Sequence, residues 1–177
     1  MGQVNWFDRK FESISRQNIM PSIIERLDGT PLRLKHKLTK ADPTLYKIKP
    51  DGKWSILEHV GHLSDLEPLW QGRLDDILKG EQELRPTDLA NTQTTEANHN
   101  EKAISELLET FYALRMVTLA KLCALKEEDI FRLAYHPRLK TPMNVIDLFT
   151  FVAEHDDHHL AKITTIAELR MDGTREN

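Results

Sequence analysis

Apolar residues recur at three- and four-residue steps through most of the chain, the signature of helices that bury one face. From Trp6 to Asp28 the positions Phe7, Phe11, Ile14, Ile19, Ile23, Ile24 and Leu27 predict a first helix, with Gly29 as its stop. Thr30-Pro31 then opens a short extra helix to about Leu38, since Thr accepts orphan N–H groups and Pro is tolerated at the first helical position. Lys49-Pro50-Asp51-Gly52-Lys53 is turn chemistry. Ser55-Ile56-Leu57-Glu58 reads as a capping box, starting a helix that runs to Lys79 and ends at Gly80, with Pro68 as a point of distortion.

Residues 81–98 are polar and read as an ordered loop. A third long helix starts near Asn98 or Asn100, presents Ile104, Leu107, Leu108, Phe111, Leu114, Val117, Leu119 and Leu122 inward, and ends between Cys123 and Lys126. Thr141-Pro142 repeats the cap-then-proline signal for a last helix to about Arg170, followed by a frayed tail from Met171. With no strand pattern in view, the expectation is an all-α four-helix bundle plus a short extra helix, one domain over residues 1–177. The connections are long, so spacing does not give the order in which the helices pack.

Composition narrows this picture without redirecting it. Forty per cent hydrophobic and 29% charged residues match an ordinary globular protein. The net charge of −4 and scattered basic residues argue against nucleic-acid binding, and no apolar run reaches signal-peptide or membrane-spanning length. A single cysteine, Cys123, allows no internal disulfide, so a reducing cytoplasm is expected; among Leu119, Leu122 and Leu125 it reads as a small buried hydrophobe.

Histidine changes the picture. There are eight, and five fall in two clusters, at 59 and 62 and at 155, 158 and 159. In the last helix His155 and His159 lie on the seam of Val145, Leu148, Val152, Ile163 and Ile166, with His158 toward the flank. Four residues advance a helix by one turn plus roughly 40°, so both imidazoles reach one ion. A lone buried His is satisfied by a carboxylate or carbonyl, but a His-x-x-x-His pair on an inner seam favours a metal. Periodicity puts His59 nearer the buried centre of its helix than His62, and spacing does not choose between them. A third His leaves a position open, and three imidazoles accept zinc, nickel, iron or copper.

Trp54-Ser55-Ile56-Leu57-Glu58-His59-Val60-Gly61-His62-Leu63, followed about ninety residues later by His155-Asp156-Asp157-His158-His159-Leu160, resembles the DinB/YfiT-like superfamily of metal-dependent enzymes over nearly the whole chain. The resemblance implies a bundle with a crossover connection, often dimeric, and a metal held by His62, His155 and His159, with His59 and His158 supporting them. It also implies a small-molecule substrate and an activity among hydrolysis, thiol transfer and thiol-dependent isomerisation, a low-molecular-weight thiol being one partner; a metal-dependent hydrolase or thiol transferase is expected, and the alternative is a noncatalytic bundle that binds a metal or ligand.

Around that site Glu58, one turn before His62, is a candidate to orient the imidazole or move a proton as well as to cap its helix. Asp156 is a candidate to hold a ligand N–H or a water. Trp6, Trp54 and Trp70 read as core or pocket lining, with Tyr112 and Arg115 as weaker pocket candidates. His36, His99 and His136 read as surface or loop residues.

Overall fold

The computed structural model describes residues 4–14 and 17–169. Its elements are α1 (Met20–Lys40), α2 (Ile56–Lys79), a short α3 (Thr92–Glu96), α4 (Ile104–Cys123), a hairpin of β1 (Leu133–His136) and β2 (Thr141–Asn144), and α5 (Val145–Ala167). Part of the expected first helix, at residues 15 and 16, and the end of the chain from residue 170 lie outside the described residues.

Capping chemistry places the ends of α2 where the sequence puts them. The Ser55 hydroxyl accepts the Glu58 N–H while the Glu58 carboxylate accepts the Ser55 N–H, and Gly80 closes the helix at φ 77°. The helix runs through Pro68 without interruption. At α5 the cap lies three residues beyond Thr141-Pro142: Asn144 and Asp147 form the capping box, and Thr141-Pro142 belongs to β2. The hairpin pairs Leu133 with Asn144 and His136 with Thr141. Its four-residue strands are too short for alternation to stand out from the surrounding loop.

Helix α1 differs most from expectation. It passes through both Gly29 and Pro31 and takes in only Met20–Asp28 of the expected first helix; upstream, the described residues form one 3-10 turn at Trp6–Asp8 and are otherwise non-helical. Ile23, Leu27, Leu34 and Leu38 form one buried stripe across the supposed break, so packing outweighs the local signals. Upstream, Trp6 and Phe11 both pack on Phe151, and Asp147 accepts the Ser13 hydroxyl and the Ile14 N–H at 2.9 and 2.8 Å. Those side chains serve α5 rather than a helix of their own.

Two apolar clusters make up the interior. One takes Ile23 and Leu27 of α1, Trp70 to Ile77 of α2, Leu119 and Leu122 of α4, and Val145 to Ala153 of α5. The other takes Leu34 and Leu38, Ile56 to Leu63, Leu107 and Phe111, and Leu160 to Ile166. The four long helices therefore run up, down, down and up. Helices α1 and α2 each pack on α4 and α5, so α1 lies diagonal to α2 and α4 diagonal to α5, while α2 and α4 are parallel neighbours joined by the long connection that carries α3.

Between the clusters lies a polar belt whose centre is Arg115 of α4, with no exposed side-chain surface. Its Nε and Nη2 donate to Glu67 Oε1 of α2 at 2.9 and 2.6 Å, and its Nη2 and Nη1 donate to Asp156 of α5 at 3.1 and 2.6 Å. The remaining Nη1 hydrogen goes to the Leu27 carbonyl of α1 at 3.1 Å. That carbonyl is the one Pro31, lacking an N–H, leaves without an intrahelical partner. All five guanidinium donors are thus used, one helix after another. Thr118 adds its hydroxyl to Glu67. Burial raises the Glu67 carboxyl above its ordinary value despite the guanidinium beside it, and Arg115, desolvated but facing two carboxylates, is held firmly in its charged form. The inward stripe of α4 accordingly runs Leu107, Phe111, Arg115, Thr118, Leu119, Leu122, while Val117 and Cys123 are exposed. Polar members hide that stripe from a hydrophobic reading.

Replacing Arg115 by Met leaves two buried carboxylates and the Leu27 carbonyl without their donor. We expect a loss of about 3–5 kcal/mol in urea unfolding, with Arg115→Lys recovering little of it because one ammonium cannot span four helices.

Candidate metal centre

Because α2 and α5 are antiparallel neighbours, the middle of one faces the middle of the other, and His62 meets His155 and His159 there. The Nε2 atoms of His62 and His155 are 3.4 Å apart, those of His155 and His159 are 3.1 Å apart, and the three donor atoms lie within 4.8 Å of one another. Three nitrogens around an ion with bonds of about 2.0–2.1 Å in tetrahedral geometry stand about 3.3 Å from each other. The spacing fits a single ion.

An outer contact settles the tautomer of His62. The Thr94 hydroxyl donates to Asp65 Oδ2 at 2.8 Å, since a carboxylate only accepts. Its oxygen is 2.9 Å from His62 Nδ1, so that nitrogen carries the hydrogen and Nε2 keeps its lone pair for the centre. His159 Nδ1 lies 2.9 Å from His59 Nδ1, a contact in which His159 donates when its Nε2 is bare. His155 Nδ1 has no partner among the described residues. His99 Nε2 also donates to Asp65 Oδ2, at 2.9 Å, completing a chain from His99 through Asp65 and Thr94 to His62. Thr94 sits on α3 and His99 in the next turn, where Asn91 and Asn98 take left-handed backbone.

Gly61 makes this approach possible. A Cβ there would lie 2.3 Å from His99 Cγ. Spacing alone leaves His59 and His62 open; the structure puts His62 in the triad and His59 behind His159. His158 is buried beside Trp6 and lines the same cavity. Neither candidate carboxylate hydrogen-bonds to the triad: Glu58 accepts Ser55 N and the Lys49 ammonium, and Asp156 is bound to Arg115. The carboxylate linked to the triad is Asp65, which the sequence reading misses. One signal points to it, since Asp65 lies three residues after His62 and so on its face.

Two histidines expected at the surface or in loops are interior. His99 is 3% exposed, and His136, at the end of β1, is 1% exposed; His36 is exposed. The isolated bridge between Glu83 and Tyr135 ties β1 to the segment after α2 and carries His136 inward.

The triad lines a cavity of about 200 Å³ together with Trp6, Trp54, Trp70, Phe151, Arg73, His136 and Arg138. Trp54 stacks on His159 at 6.0 Å and lies 4.6 Å from His62, while Trp6 stands edge-on to His155 at 5.0 Å. Burial lowers the five clustered imidazoles: His59 to about 4, His62 to about 3, and His155 and His159 well below 6.5, with neighbouring histidines adding to the effect, and His158 to about 4, with Arg9 and Lys162 adding to it. Neutral imidazoles are the form that binds metals.

Two outcomes follow for the metal-free protein. Below pH 6.5 the unfolded chain takes up protons that the folded histidines refuse, so stability is full above that value and falls as pH drops toward about 4, each such group contributing about 1.4 kcal/mol per pH unit inside the window. Urea midpoints across pH 7.5–4.5 should fall steeply; a flat profile would mean accessible imidazoles. Gly61→Ala should force His99 off Asp65 and cost about 1–3 kcal/mol, seen in the same unfolding assay.

No helix among the described residues is long and apolar enough to cross a membrane. No curated protein matches the chain. Among solved structures it is similar to YfiT from Bacillus subtilis, described as a probable metal-dependent hydrolase with an unusual four-helix bundle topology, with a TM-score of 0.76 and 24% identity over 89% of this chain and 90% of that one. That likeness shows the fold. The DinB superfamily pattern matches residues 26–163, a span that begins in α1 and ends in α5 with all three triad histidines inside it, and on that match the chain belongs to the DinB superfamily.

Proposed function

We propose that this protein is a metal-dependent hydrolase acting on a small molecule, with one divalent ion, zinc or nickel, held by Nε2 of His62, His155 and His159. The observation that carries the reading is the convergence of the three Nε2 atoms at one cavity, with the outer nitrogens of His62 and His159 in contact with Thr94 and His59. Three neutral nitrogen donors leave a coordination position for a reactant. A divalent ion supplies Lewis acidity there, the means by which a weak nucleophile is activated at neutral pH.

The protein's own residues do the rest. Asp65 and Thr94 fix the tautomer and ring plane of His62, and His59 holds the ring plane of His159. Trp6, Trp54 and Trp70 wall the cavity with apolar surface, which limits water and strengthens electrostatic interactions inside. The Arg115 cluster holds α2 and α5 at the separation the three nitrogens require. YfiT's description as a probable metal-dependent hydrolase agrees with this reading.

Elemental analysis of protein purified without a histidine tag or chelator should find about one ion per chain, lost in His155→Ala and His159→Ala. Hydrolysis in an ester and amide panel should vanish with chelator and return with zinc or nickel. Thr94→Val should keep the helical circular dichroism but bind metal about 10–100-fold more weakly. No metal after reconstitution with either ion would defeat the proposal, and a rate that requires an added thiol would change the reaction to thiol transfer.

A further inference from the structure

The cavity that holds the triad also holds two cations that form no ion pair among the described residues. Arg73 of α2 is 1% exposed, and Arg138, in the β1–β2 turn, is half-buried; both line the cavity. Among the described residues neither forms an ion pair, and each has a buried Nη2 without a hydrogen-bond partner. Asp76, one turn from Arg73, gives both carboxylate oxygens to Arg85. Asp88, which also lines the cavity, gives its oxygens to the N–H groups of Ala90 and Thr92. Among the described residues the one acceptor of certain role that Arg73 keeps is the Arg85 carbonyl, at 3.1 Å from Nε, and its guanidinium lies over the face of Trp70.

His136 adds a third donor. Its Nδ1 accepts the backbone N–H groups of Arg138 and Leu139, both at 3.2 Å. A neutral imidazole carries one hydrogen, so it sits on Nε2. That Nε2 lies 3.1 Å from Arg73 Nη1, which is also a donor. Two N–H groups therefore face each other with no acceptor between them, in a buried position where unpaired donors and charges are costly.

We propose that Arg73, Arg138 and His136 Nε2–H bind an anionic group of the substrate, a carboxylate or phosphate monoester, whose oxygens supply the missing acceptors and charge. Guanidinium forks match both groups. Desolvation first, and Arg138 second, bring Arg73 down to about 10, a strain that an anion relieves. His62 and Arg73 are eleven residues apart on α2, about 16 Å along the helix axis. Trp70 lies between, with Arg73 over its ring and His155 5.7 Å from it. The substrate so described is elongated, with an anionic end at the arginines, an apolar middle against Trp70 and Phe151, and the reacting bond at the triad. The last element rests on the hydrolase proposal; the anion site itself does not.

All three tryptophans of the chain line the cavity, so their fluorescence reports binding directly. Chelated and zinc-loaded protein would be titrated with hexanoate, hexyl phosphate and hexan-1-ol at pH 7.5. We expect the anions to bind at least about tenfold tighter than the alcohol in both forms; the tighter anion identifies the headgroup. Arg138→Gln should weaken the anions about tenfold and leave the alcohol unchanged, and Arg73→Lys, which keeps the charge but not the fork, should act the same way. Equal binding of the three probes, or anion affinity indifferent to both variants when they retain native circular dichroism, would overturn the inference. A chain that binds one zinc without preferring anions would sink this site and spare the hydrolase proposal, and one that prefers anions without binding metal would do the reverse.

Discussion

A single guanidinium sets the terms on which this bundle assembles. Arg115 takes a carboxylate from α2, a carboxylate from α5 and a carbonyl from α1, and it projects from α4, so each long helix is tied to it. A buried charge tolerates little displacement of its partners, because a lost hydrogen bond there is not replaced by water. The apolar clusters above and below supply most of the attraction but permit sliding; the polar belt admits one registry. The Leu27 carbonyl shows how closely the parts are coupled. Pro31 frees it, Arg115 claims it, and α1 continues as one helix through a residue that ordinarily ends one.

The triad inherits that registry. Asp156 follows His155 directly on α5, and Glu67 lies five residues after His62 on α2. Fixing the two acids against one arginine therefore fixes the histidines against one another. Outer contacts then set the rings: Thr94 and Asp65 on one side, His59 on the other. The same burial that keeps the imidazoles neutral makes their nitrogens costly to leave unpaired, and a cation at their centre resolves both conditions. At the Arg73 end of the cavity the imbalance has the opposite sign, with donors and positive charge lacking an acceptor. One cavity thus presents complementary demands at its two ends.

Features governed by neighbours along the chain are legible in the sequence. The Ser55–Glu58 capping box, the Gly80 stop, the course of α2 and α4 and the His-x-x-x-His pair all depend on residues within one or two turns. The resemblance to the DinB/YfiT-like superfamily places His62 with that pair where periodicity prefers His59. Where local signals fail, something distant intervenes. Gly29 and Pro31 suggest a break, but the buried stripe of α1 crosses them. Arg115 looks like no more than a weak pocket candidate, because a charged residue inside a helix is normally solvated and its partners come from three other elements.

Legible in the sequence alone are therefore the helical class, both ends of α2, the end of α4 and the identity of the clustered histidines, because capping and periodicity act over a few residues of backbone. Only the tertiary structure decided that His99 and His136 are interior, that Asp65 rather than Glu58 or Asp156 reaches the triad, and that Arg73 and Arg138 share its cavity. Burial and pairing are properties of space rather than of spacing. A polar side chain declares its role only when the groups that satisfy it, or fail to, have been brought within about 3 Å of it.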